Sequence, residues 1–262
     1  MPDWIAVILL GIIEGATEFL PISSTGHLLM AEHWGLPAQS ELFNVVIQCG
    51  AVLAVLLVFY QRVHQLFAQL AQSPTRDYLL KLVAAFLLTA VGGLALKKAG
   101  FTLPKNLAPI AWATLVGGGL ILAIECFARA KPVVETVTWP VTFAVAGAQI
   151  LAAACPGTSR SGATILFALA LGLSRTQATE FSFLLGIPTM FAAGGYEIWH
   201  ELKHAPADST AWSMVLLGTT VSAVTAFLVV KWLLRYVRTH SFAPFGWYRI
   251  ALGILILALL AR

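Results

Sequence analysis

The chain has 262 residues, of which 59% are A, V, I, L, M, F, W, Y or C and only 11% are Asp, Glu, Lys or Arg. Soluble domains carry about 25% charge, so this chain lacks the polar coat of a water-soluble globule and reads as a polytopic membrane protein. The same figures exclude a disordered, collagen-like or disulfide-stapled chain, since Cys49, Cys126 and Cys155 lie scattered in apolar runs without a CxxC pair. A net charge of +4 is too sparse for a nucleic-acid-binding stripe.

The first apolar segment, 4–20, is stopped by Pro21, and Ser23-Ser24-Thr25-Gly26 precedes a second short stretch, 27–34. No basic region precedes it and it holds two carboxylates, so no cleaved signal is expected. Charge-free stretches follow at 42–59, 82–96 and 106–124. With their flanks they approach the ~20 residues that a spanning helix needs. Segment 139–155 then repeats the opening pattern: Pro156-Gly157 stops it, and Thr158-Ser159-Arg160-Ser161-Gly162 precedes 163–173. Stretches 181–196, 209–230 and 250–261 bring the expected spans to six.

Proline ends a helix, and a neighbouring Ser or Thr offers an N-cap for the next. Helix, break and short helix predict a re-entrant hairpin that enters and leaves on one face. Non-helical backbone at membrane depth survives only when buried in protein or lining a watery cavity. A kinked ordinary span is the plainer alternative. The two broken segments also resemble each other: at one common offset Pro21 falls on Pro156, Ser24 on Ser159 and Glu14 on Gln149. After a further shift, Phe43-Asn44 falls on Phe181-Ser182. The expected fold is therefore an all-α polytopic membrane protein, one integral domain over 1–262, with an inverted-topology repeat. Repeat one covers about 1–130 and repeat two about 135–262, each holding one hairpin and three spans. Three crossings are odd, so the second half inverts and the two hairpin tips meet near the midplane, as in transporters. Lys and Arg near the span ends number nine on the face opposite the termini against five on theirs, which makes the former face cytoplasmic.

Within the hairpins lie Glu14, Glu18, His27 and Arg160. Each charge at the membrane centre costs about 2.5–3.5 kcal/mol, so three imply roughly 7–10 kcal/mol before pairing. Glu14 and Glu18 share a helix face, as do Gly11 and Gly15, which would admit a neighbouring backbone. Two such carboxylates resist joint ionisation unless a cation or Arg lies between them. Mg²⁺ fits, because it takes one or two carboxylates plus substrate phosphates. An ion pair to Arg160 that only holds the fold is the competing reading. The N-termini of the short helices favour phosphate, and Ser24, Thr25, Ser159, Ser161 and Thr164 add hydroxyls. Arg160 supplies a bidentate fork, and His27 lies where it could orient or deprotonate a hydroxyl. Arg249, at the start of the last span, reads either as an interfacial anchor or as a partner of the site. Gln149 reads as an interhelical hydrogen-bonder or a cavity wall.

The runs Glu14-Gly-Ala-Thr-Glu18-Phe-Leu-Pro-Ile-Ser-Ser-Thr-Gly-His27 and Pro156-Gly-Thr-Ser-Arg-Ser-Gly-Ala-Thr164 resemble the two signature motifs of the undecaprenyl-diphosphate phosphatase family, the bacitracin-resistance type. The likeness extends through 43–50, Glu180-Phe-Ser-Phe-Leu-Leu and Tyr248-Arg249. The resemblance implies a bacterial inner-membrane enzyme that removes the terminal phosphate of undecaprenyl diphosphate, with its site open to the periplasm. Its product carries peptidoglycan and other envelope polymers. A divalent cation, Mg²⁺ or Ca²⁺, is the implied cofactor, held by Glu14 and Glu18. Arg160, with Ser159, Ser161, Thr164, Thr25 and Gly157, would bind the diphosphate. Ser24 assisted by His27 is the expected nucleophile, and a metal-activated water or His27 itself remain alternatives. Expected partners are undecaprenyl diphosphate and membrane lipids, with no nucleic acid; a homodimer is left open. A polyprenyl-phosphate flippase or secondary transporter would share the inverted repeat and the midplane polar site.

Overall fold

The computed structural model describes residues 2–100, 107–128, 132–204 and 211–261. Lys105, Arg129, Lys131 and Arg262, counted for orientation, lie outside these residues, as do Asn106 and Ser209 at two expected span starts. The described residues form eleven α-helices and one isolated parallel bridge, Val134 with Leu173. Five of the helices are long and apolar enough to cross a membrane: α3 (Glu41–Val58), α5 (Ser73–Lys98), α6 (Leu107–Ala128), α10 (Trp212–Tyr236) and α11 (Ala243–Leu260). On their outer faces Leu57, Val91, Leu216 and Leu228 are exposed, as lipid solvent allows and water does not. The fold is that of a polytopic membrane protein.

Segment 181–196 lies inside α9 (Arg175–His204), which is not among those five. Ser182, Pro188, Thr189 and Glu197 dilute its apolarity, and the site explains part of that composition below. A short helix, α4 (Tyr60–Ala68), occupies a stretch read from sequence as a connector. It buries Leu66 while Tyr60 and Phe67 stay exposed.

Both proline-stopped segments are pairs of short helices. α1 (Asp3–Thr17) is followed by α2 (Ser24–His33), and α7 (Trp139–Ala154) by α8 (Arg160–Ala170). At 1.5 Å per residue α1 and α7 extend only about 22–24 Å, short of a ~30 Å hydrocarbon core. Asp3 in the first turn of α1 and Pro140 in that of α7 suit helix starts.

Packing lays one face of α1 and of α7 against the bundle and leaves Leu9, Ile12, Phe143 and Leu151 exposed on the other. α1 lies against α10 and α3, and α7 lies against α5. α3 runs along α10 and also meets α9, while α6 and α11 form a long contact. Gly11 and Gly15 admit the α10 backbone as expected: a Cβ on Gly11 would sit 2.8 Å from the Gly218 carbonyl, and one on Gly15 would strike that of Ser222. Small residues let spanning helices approach this closely where no hydrophobic force drives them together. Trp4, Trp112, Trp139, Trp199, Trp212 and Trp247 are all exposed, in keeping with interfacial belts.

Candidate active site

The two breaks share one local geometry. Ser23 (φ 73°) and Ser159 (φ 63°) are the non-glycine residues with positive φ among the described residues. That conformation costs an L-residue roughly 1–2 kcal/mol, and capping offsets it. Ser23 Oγ accepts from the Gly26 amide at 3.4 Å, and Ser159 Oγ accepts from Gly162 at 3.1 Å. The structural counterpart of Ser159 is thus Ser23, one residue earlier than the expected Ser24. The first helical residues after the caps are then Ser24 and Arg160.

Those two residues converge on one carboxylate. Ser24 Oγ donates to Glu18 Oε2 at 2.5 Å, and Arg160 Nη2 donates to Glu18 Oε1 at 3.0 Å. Glu18 immediately follows α1 and is buried. The Arg160 guanidinium lies 5.7 Å from the Phe19 ring centroid, and Nη2 also reaches Met190 Sδ at 2.9 Å. Nη1 packs on Gly186, where any Cβ would collide with it, and has no hydrogen-bond partner. α9 thus seats the guanidinium with Gly186 and Met190. Ser161 Oγ stands 3.1 Å from the Glu18 carbonyl and 3.0 Å from that of Leu20, and Ser159 Oγ stands 3.4 Å from Leu20 O. These hydroxyls stitch the second break onto the first. Thr164 Oγ1 pairs with Ser182 Oγ of α9 at 2.5 Å.

A cavity of about 300 Å³ opens beside this pair. Glu18, Ser24, Thr25, Gly157, Ser159 and Arg160, all expected site residues, line it. Ser23, Gln48, Thr89, Gln149, Thr158 and Thr189 make the rest of its polar wall, and Gln149 Nε2 donates to Thr89 Oγ1 at 3.0 Å. Ser161 and Thr164 sit behind that wall, fully buried or nearly so.

His27 stands apart from the Ser24 hydroxyl. Its Nδ1 lies 2.7 Å from the Ser23 carbonyl and its Nε2 2.7 Å from the Tyr248 hydroxyl. The two rings stack with centroids 5.8 Å apart. The expected Ser24–His27 pair is not formed, because Ser24, at the first helical position, faces back across the break to Glu18.

Glu14 is fully buried, and neither of its oxygens has a hydrogen-bond partner. An orphaned carboxylate one turn before Glu18 is chemically suited to a divalent ion that completes its shell with phosphate oxygens. The protein alone does not complete such a shell: among the described residues no group of three or more His, Cys, Asp or Glu could hold a metal. Glu18 already serves Ser24 and Arg160, and Glu14 lies behind the cavity lining, so an ion shared by the two would need phosphate oxygens to complete its shell.

The sequence did not single out Ser23 as the cap, and it gave no sign of Gly186 and Met190 as the seat of Arg160 or of Tyr248 as the partner of His27. The Ser23-Ser24 doublet offered two caps without distinguishing them. The other contacts cross from distant segments and leave no local pattern.

Comparison with known proteins identifies the family. The chain is 51% identical over 258 residues to a protein of Xylella fastidiosa (strain 9a5c) named undecaprenyl-diphosphatase, covering 98% of each chain. It is 48% identical to a protein of that name from Rhizobium etli, covering 99% of this chain and 98% of the relative. A third of the same name, from Xanthomonas euvesicatoria pv. vesicatoria, is 50% identical over 98% of this chain and 97% of its own. The family described as bacitracin resistance protein BacA matches residues 7–255, nearly the whole length, and the chain belongs to that family.

Proposed function

We propose that the chain hydrolyses undecaprenyl diphosphate to undecaprenyl phosphate and inorganic phosphate in the bacterial inner membrane, with its cavity open to the periplasm. Full-length likeness to undecaprenyl-diphosphatases supports the reaction. The single structural observation behind it is Glu18, whose two oxygens hold the Ser24 hydroxyl and the Arg160 guanidinium, one from each break.

In this reading Ser24 Oγ attacks the terminal phosphorus while Glu18 takes its proton over the 2.5 Å hydrogen bond. The Oγ–phosphorus bond forms, the bridging oxygen–phosphorus bond breaks, and undecaprenyl phosphate departs. Water then cleaves the phosphoserine, releasing phosphate. Arg160, with Nη1 still unpaired, holds the phosphoryl oxygens and stabilises charge as it moves to the leaving oxygen. Thr25, Ser159 and Gly157 at the cavity wall position the diphosphate. Glu14 and Glu18 would hold Mg²⁺ or Ca²⁺, which when bound neutralises phosphate charge. His27, tied to the Ser23 carbonyl and to Tyr248, orients the break from which Ser24 projects.

The proposed architecture is the inverted repeat: six crossings, counting α9, around two re-entrant pairs. Exchanging α1, α2, α3, α5 and α6 with α7, α8, α9, α10 and α11 supports it. The α1–α10 contact maps onto α7–α5, and α3–α10 onto α9–α5, while α3–α9 and α6–α11 map onto themselves. One chain holds every group used, so a homodimer is not required.

Purified protein in detergent, given undecaprenyl diphosphate, should release phosphate, and EDTA should stop it. A flippase or transporter would give no product without a sealed membrane. Rapid quench should trap a phosphoserine that Ser24→Ala lacks; full turnover by Ser24→Ala would eliminate this nucleophile.

A further inference from the structure

A break between two helices inside a membrane leaves backbone carbonyls without amide partners, and hydrocarbon offers no water to replace them. Two such breaks occur here, and a single side chain serves both. Arg249 of α11 is 1% exposed, so it is no interfacial anchor. Its Nη1 donates to the carbonyls of Pro21 at 3.2 Å and Thr158 at 3.1 Å. Its Nη2 donates to Gly157 at 2.9 Å and Ala113 at 3.0 Å, and Nε donates to Thr114 at 3.1 Å. A guanidinium has five N–H groups, and these five contacts use them all. The carbonyls belong to the first break, the second break and α6.

The position of this fork bears on the chemistry. Pro21 lies between Glu18 and Ser24, and Thr158 precedes Ser159 and Arg160. Gly157, at φ 89°, is held close by a second constraint, since a Cβ there would come within 2.8 Å of the Ile110 carbonyl. The α6 backbone is notched for the fork as well. A Cβ on Gly117 would lie 2.7 Å from the Arg249 Cζ and would overlap Nη2.

We propose that Arg249 is a positioning residue of the phosphatase, which ties the Pro21 carbonyl to those of Gly157 and Thr158 and thereby sets the spacing between Glu18–Ser24 and Arg160. This rests on the site reading above. A lysine cannot replace it, because three donors on one nitrogen cannot span carbonyls from three segments.

The test uses purified full-length protein in detergent and compares Arg249→Lys and Gly117→Ala with the unsubstituted chain. Phosphate release from undecaprenyl diphosphate is normalised to the folded, monodisperse fraction. Small misplacement of reacting groups costs about 100-fold in rate, so Arg249→Lys should lower kcat by about that factor. Gly117→Ala, which keeps the arginine but displaces it, should lower kcat by about 10-fold, with KM in both within about threefold. A fold-only role would reduce the folded fraction and leave its kcat unchanged. Folded Gly117→Ala with unaltered kcat, or a loss confined to KM, overturns the proposal, and Gly117→Ala decides alone if Arg249→Lys does not fold. Glu18→Gln and Arg160→Ala run alongside separate the two readings. If they keep turnover, the site reading fails and the positioning role with it. If they lose turnover while Gly117→Ala does not, only the positioning role fails.

Discussion

The two breaks carry the same backbone and different chemistry. Each has a positive-φ serine cap, a glycine three residues later that donates to it, and a short helix beyond. At the first helical position one holds Ser24 and the other Arg160, and both point to Glu18. One turn before its break the first half has buried Glu14, while the second has Gln149 at the sequence-matched position. The two breaks share their capping and differ in their side chains: the acid and hydroxyl reside at one and the guanidinium at the other. Neither half holds a complete set of groups.

If that division is correct, damage to unique side chains should exceed damage to the shared caps. The largest effect beyond Glu18 itself is expected at Arg160. Arg160→Ala should cost about 10²–10³ in kcat, the magnitude typical of a lost charge-stabilising donor; steady-state phosphate release would show it, and a loss below about tenfold would argue against a role at the phosphate. Smaller, and equal in the two halves, are the cap effects. Ser23→Ala and Ser159→Ala should each cost about 1 kcal/mol of stability, and the glycine variants only a few tenths, since glycine tolerates positive φ. Thermal unfolding in detergent measures this. A cap loss seen in one half only would break the structural parallel.

Much of this organisation was legible in the sequence because its determinants are local. A proline followed by Ser and Thr marks a helix end and a new cap, so both broken pairs could be placed from Pro21 and Pro156. The meeting of an acidic residue with Arg160 followed from the cost of burying either alone, and it exists as the Glu18–Arg160 ion pair. Glu14 is not in that pair, because it lies a full turn earlier on α1. What the sequence could not convey depends on contacts between distant segments. Arg249 reaches three of them, and the sequence, which admits an anchor or a partner of the site, could not tell which segments it joins. Ser24 turns to Glu18 instead of His27 because a break, and not helical spacing, sets its direction. Similarly, α9 is less apolar than a lipid-facing span because its Ser182 meets Thr164 and its Thr189 lines the cavity.

Glu18 serves both breaks at once, and Glu18→Gln removes its charge with almost no change in shape. In purified, folded protein this variant should release phosphate from undecaprenyl diphosphate about 10²–10⁴-fold more slowly, as loss of a positioned proton acceptor requires. Turnover within about threefold of the unsubstituted chain would contradict it.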